Sequence, residues 1–126
     1  MSKVTAITVC LCFFFLTNCR QKEEKTQEAF KPNTGQIQVL NACGFPGAAE
    51  AMRNFLTDKG FDIVEFGNAD SWNYAETIVV ARTENTAIAR DLARILSLDT
   101  FVLLTDSSRM VDATIYVGKD YYKRLR

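Results

Sequence analysis

The chain contains no histidine. Its absence removes the commonest general base, the commonest metal ligand and the usual activator of a serine or cysteine nucleophile. Neither sign of charge is in excess, since fifteen Lys and Arg stand against fifteen Asp and Glu. A protein organised around nucleic acid carries a strong basic surplus, so no nucleic-acid partner is expected. There is also no uninterrupted apolar run of the roughly 20 residues that a membrane-spanning helix requires. Cysteine offers little, because Cys10, Cys12 and Cys19 fall near the N-terminus and only Cys43 is left for the rest of the chain. An internal disulfide framework is therefore not expected, and neither a metal nor a cofactor is implied.

What is present is the composition of a globular protein, 48% hydrophobic and 24% charged in 126 residues. That is enough for one domain with one small core. Lys3 precedes an uncharged, mostly apolar run, Val4 to Leu16, which has the layout of an export signal. Leu16-Thr17-Asn18-Cys19 resembles the bacterial lipobox, in which cleavage just before a cysteine leaves that cysteine to be lipid-modified, although Asn18 stands where Gly, Ala or Ser is preferred. Residues 1–18 are expected to be a lipoprotein signal peptide and Cys19 the site of a fatty acyl (palmitate) anchor in the membrane. Removing the signal takes Lys3 and no acid, so 14 basic residues then stand against 15 acidic ones.

Residues 19–35 are polar, charged and without apolar period, and read as a tether. As a flexible coil it holds the globular part about 20 to 25 Å from the membrane. Arg20 is not the Asp that retains some lipoproteins in an inner membrane, so an outer membrane is the expected destination if the cell has two.

From residue 36 the pattern alternates between strand and helix. Gln36–Ala42 reads as a first strand. Gly44, Pro46 and Gly47 turn the chain into a helix whose apolar stripe is Ala48, Ala49, Met52, Phe55 and Leu56, closed by Gly60. A second strand over Phe61–Gly67 and a loop through Trp72 lead to a third, Thr77–Ala81. Thr83 is a candidate cap for a second helix burying Ile88, Leu92 and Leu96, with Arg90, Asp91 and Arg94 expected in solvent. Phe101–Leu104 and Ala113–Val117 complete five strands. The expected fold class is α/β: a two-layer sandwich, βαββαβ plus a final strand, ferredoxin-like in plan, with the helices on one face. The domain is expected over residues 36–122, with 123–126 as a basic, solvated tail.

Three groups of residues could carry function. The turn containing Asn41, Gly44 and Gly47 could cradle a phosphate or carboxylate at a helix start, or be a structural turn in which Asn41 bonds its own backbone. Cys43 within it could be a reactive thiol or a small apolar filler. The loop carrying Asn68, Asp70, Trp72 and Tyr74 has residue types that stack on and hydrogen-bond to sugar rings or grip a protein, or else Trp72 folds back over the sheet edge. Finally, Asp70, Glu76, Asp106, Asp112 and Asp120 could supply a glycosidase's carboxylate pair, or be ordinary surface acids.

Val39-Leu40-Asn41-Ala42-Cys43-Gly44 with Pro46-Gly47-Ala48-Ala49, then Gly60-Phe61-Asp62-Ile63-Val64, Gly67-Asn68-Ala69-Asp70, Glu76-Thr77 and Val117-Gly118-Lys119-Asp120-Tyr121 together resemble the LytR C-terminal domain. That domain usually trails the transferase of LytR-CpsA-Psr proteins, which attach anionic glycopolymers to the bacterial wall. None of the 126 residues resembles that transferase, so its activity and catalytic residues are not expected to carry over. The resemblance implies a non-enzymatic cell-envelope module, with wall glycan or attached glycopolymer as ligand, or an adaptor role toward an envelope protein such as a glycopolymer transferase.

Overall fold

The computed structural model describes residues 34–108 and 110–126. The expected signal, Cys19 and the tether as far as residue 33 lie outside them. The elements in chain order are β1 Gln36–Asn41, α1 Ala48–Asp58, β2 Asp62–Asn68, β3 Ile78–Ala81, α2 Ala87–Ile95, β4 Val102–Leu103, β5 Ala113–Val117 and α3 Tyr121–Arg124. They build a mixed α/β sandwich whose five strands lie in the order β2-β1-β5-β3-β4.

The connectivity differs from a ferredoxin-like plan, which splits each strand-helix-strand unit with a strand from the other. Here β1 pairs directly and in parallel with β2, and β3 with β4. The last strand, β5, joins the two units, running parallel to β1 and antiparallel to β3. A sequence shows the order of strands along the chain, but their order across the sheet is set by which apolar faces can be covered together.

Alternation decides that coverage. Ile37 and Val39 of β1, Val79 and Ala81 of β3, and Ala113, Ile115 and Val117 of β5 form one face and are fully buried. They share a single core with Met52 and Leu56 of α1, with Ile88 and Leu92 of α2 and with Leu96 just after it, so both helices cover that face. Each fully buried aliphatic side chain contributes about 1.5–3 kcal/mol. Gly60, at φ 92°, ends α1 as expected.

Local departures have identifiable causes. In β2 the register slips between Ile37 and Gln38, so Val64 is an extra residue and Ile63 and Phe66, three apart, both fall on the helix face. Phe66 is covered there by the Arg53 guanidinium of α1, 4.2 Å from the ring centroid. Thr83 does not cap α2; the preceding turn is closed by Asn85, whose side-chain oxygen accepts from the Ala87 N–H at 3.2 Å. Asp91, expected in solvent, is buried, because Arg94 one turn on reaches back to its carboxylate at 2.7 Å and makes that burial tolerable. The fourth strand has shrunk to two residues, both exposed. The last residues are not a solvated tail: Leu125 packs on the core, and Arg124 donates to Asp120 and to the Ser97 carbonyl.

Candidate functional site

The strand-to-helix turn after β1 is closed by Asn41. Its side-chain nitrogen donates to the Phe45 carbonyl at 2.7 Å, while its oxygen accepts from the Cys43 and Gly44 N–H groups, both at 3.1 Å. Gly44 and Gly47 sit at φ 76° and 80°, where a side chain would be strained. Cys43 is buried, with its Sγ–H also directed at the Asn41 oxygen. The Asn41 carboxamide is thus spent on the turn. Asn41, Gly47 and Asn68 do meet at a shallow cavity of about 260 Å³, but among the described residues the only charged one lining it is Glu50.

That turn also fixes the loop between β2 and β3. The Ala69 N–H donates to the Asn41 carbonyl at 2.9 Å and the Tyr74 N–H to the Ala42 carbonyl at 3.0 Å. From the other side, the Lys119 N–H donates to the Tyr74 carbonyl at 3.0 Å, and the Thr77 hydroxyl and N–H both donate to Asp120 Oδ1 at 2.8 Å. Gly118 makes this clamp possible, since a Cβ there would overlap the Glu76 carbonyl and lie 2.6 Å from the Thr77 nitrogen. Partial burial pushes the Asp120 carboxyl up, but the Thr77 hydroxyl, the Arg124 side chain and the Thr77 N–H outweigh it and hold the group below its ordinary 3.8.

Held in this way, the Tyr74 ring lies 5.6 Å from that of Tyr116, tilted by 35°. The two tyrosines flank an open cleft of about 320 Å³, also lined by Gln38, Glu65, Asn68 and Asp70. It lies on the sheet face opposite the helices. Of the loop residues, Asn68, Asp70 and Tyr74 therefore come together, and Trp72 does not join them. Trp72 is 58% exposed, with its indole N–H on the Ala69 carbonyl at 3.2 Å and its Cβ beside Gly44. It neither lines the cleft nor covers the sheet edge.

Behind the cleft runs a polar chain across the strands. Arg82, 5% exposed, donates from Nε to Thr114 Oγ1 at 3.1 Å and from Nη2 to the Tyr116 hydroxyl oxygen at 3.0 Å. Thr114 in turn donates to Gln38 Oε1 at 3.1 Å. Gln38, Arg82, Thr114 and Tyr116 escaped notice in the sequence because each sits alone among apolar strand residues. The available signal was parity: each occupies an even-numbered position, opposite the odd-numbered core residues of its strand.

The dispersed carboxylates form no pair. Asp112 accepts from the Gln36 N–H, Asp106 from Ser108, and Asp120 from Thr77 and Arg124. A second cavity of about 350 Å³ beside Arg124 has that cation already committed to Asp120 and the Ser97 carbonyl. Among the described residues no group of His, Cys, Asp or Glu is placed to hold a metal, and no helix is long and apolar enough to cross a membrane.

A family model described as LytR cell envelope-related transcriptional attenuator matches residues 34–121. No curated protein and no solved structure matches the chain.

Proposed function

Because the chain belongs to the LytR cell envelope-related transcriptional attenuator family, we propose that it is a non-enzymatic, lipid-anchored module of the cell envelope that binds wall glycan or an attached glycopolymer. The observation that carries this reading is the clamp on residues 69–77, anchored by backbone hydrogen bonds to β1 on one side and to residues 118–120 on the other. It presents Tyr74 beside Tyr116 in an open, polar cleft. A pre-ordered aromatic surface with fixed hydrogen-bonding groups suits a sugar polymer, because little entropy is lost in ordering the site. Cys19 supplies the anchor, and the tether keeps the cleft within reach of material next to the membrane, the outer one where there are two.

Purified sacculi should sediment the full-length chain from mild detergent, and Tyr74→Ala should leave most of it in the supernatant with an unchanged melting temperature. Failure of the parent protein to sediment, or equal sedimentation of folded Tyr74→Ala, sinks the reading. Fatty-acid labelling that survives Cys19→Ala would remove the anchor from it.

A second reading has one specific observation in its favour. Val102 and Leu103 of the edge strand β4 and Leu104 just after it stand 48%, 53% and 58% exposed. An envelope protein could add a strand there, making the module an adaptor. Crosslinking in cells from position 103 that recovers no envelope protein counts against it.

A further inference from the structure

We propose that the cleft between Tyr74 and Tyr116 selects uncharged sugar rings of a glycan strand over a phosphate-bearing polymer, with the Tyr116 hydroxyl as a donor that Arg82 keeps directed at the ligand. This rests on the glycan-binding reading above and narrows it to one ligand chemistry.

The first observation is the hydroxyl itself. Arg82 can only donate, so the Tyr116 oxygen is the acceptor in their 3.0 Å hydrogen bond, and the phenolic proton is left for another partner. Among the described residues no acceptor takes that proton. Arg82 also has no carboxylate within 4 Å among them, so its charge acts on the two hydroxyls it touches, those of Thr114 and Tyr116. A hydroxyl that accepts from a cation is a stronger donor onward. Arg82 is therefore a positioning residue, nine-tenths and more buried, and it acts on a ligand only through Tyr116.

Charge along the rim is the second observation. Among the described residues, Glu65 and Asp70 are the only charged ones lining the cleft, and both are acidic. A phosphodiester offers acceptors alone and would face these carboxylates. Sugar hydroxyls both donate and accept, which matches acid acceptors, the Tyr116 donor, and the Asn68 amide that does either.

The test titrates the full-length chain, in mild detergent, with the tetramer of β-1,4-linked N-acetylglucosamine and separately with a glycerol phosphate oligomer, reading tyrosine ring signals by NMR. The neutral tetramer should move Tyr74 and Tyr116, and the glycerol phosphate oligomer should move neither. Tyr116→Phe should weaken the tetramer about three- to tenfold, the worth of one hydrogen bond. Tyr122→Phe, which removes an exposed phenolic hydroxyl that does not line the cleft, should keep the parent affinity. Binding of glycerol phosphate without the tetramer overturns the choice of ligand and leaves the envelope-binding reading intact. Silence from both overturns both at this cleft. Unchanged affinity in Tyr116→Phe, or equal weakening by Tyr122→Phe, overturns the part assigned to the hydroxyl.

Discussion

Gly118→Ala should be among the most damaging single substitutions in the domain, although it adds only one methyl group. The added Cβ would overlap the Glu76 carbonyl, and both that group and the Thr77 nitrogen are backbone. No rotamer change can relieve the clash, so the end of β5 and the loop before β3 must move apart. Their separation strains the Gly118 N–H to Thr77 Oγ1 bond at 3.1 Å, the two Thr77 bonds to Asp120 at 2.8 Å, and the Lys119 N–H to Tyr74 bond at 3.0 Å. Two of the four end on a carboxylate, for which about 1.5–3 kcal/mol each is usual, against about 1 for the neutral ones. If roughly half of that is lost after relaxation, the cost is about 3–4 kcal/mol. For a domain of this size each kcal/mol lowers Tm by about 4–8 °C, so the expected fall is about 12–30 °C in a calorimetric melt. Gly67→Ala is the matched control, since nothing lies within 4 Å of its Cβ position, and it should melt like the parent. A Gly118→Ala protein melting within a few degrees of the parent would refute the clamp, and with it the reason Tyr74 is held where it is.

Two further substitutions probe the same framework. Asn41→Ala removes the acceptor of two N–H groups and the donor to Phe45 in a buried turn, and should cost about 2–4 kcal/mol in urea unfolding; a change below about 1 kcal/mol would show the turn closes without it. Asp120→Asn should reveal a pH window. The folded Asp120 carboxyl is held below its ordinary value, so it stabilises the fold above the unfolded pKa of about 3.9, and that contribution drains away as pH falls through the depressed folded value. The Tm gap between parent and Asp120→Asn should be constant from pH 7 to 5 and narrow below about pH 4. A gap that stays the same down to pH 3 would contradict the assigned cause.

Much of this molecule was written locally. The helix over Ala48–Asp58, the five strands and the Asn41 turn follow from spacing of three and four, from alternation, and from glycines at positive φ, all properties of neighbours in the chain. Where the reading departed from the structure, the cause was a specific side-chain partner or a strand pairing that residue type alone does not reveal. Asp91 is buried with Arg94 reaching back one turn to its carboxylate, and the β2 bulge is invisible until Ile37 and Gln38 are paired with Ile63 and Glu65. The loop at residues 68–74 was legible as a place of interest from its residue types alone.

The sequence by itself determined the first two helices and the five strands, the sharing of one core by both helices, and the family to which the chain belongs. Only the tertiary structure decided the order of strands across the sheet and, through it, the site. Placing β5 between β1 and β3 puts Tyr116 opposite Leu40 and Ile78, within reach of Arg82 and Tyr74, residues 34 and 42 positions earlier in the chain. The physical reason is that a hydrogen-bonded cleft is a property of which side chains share a face, and strand pairing over long separations sets that.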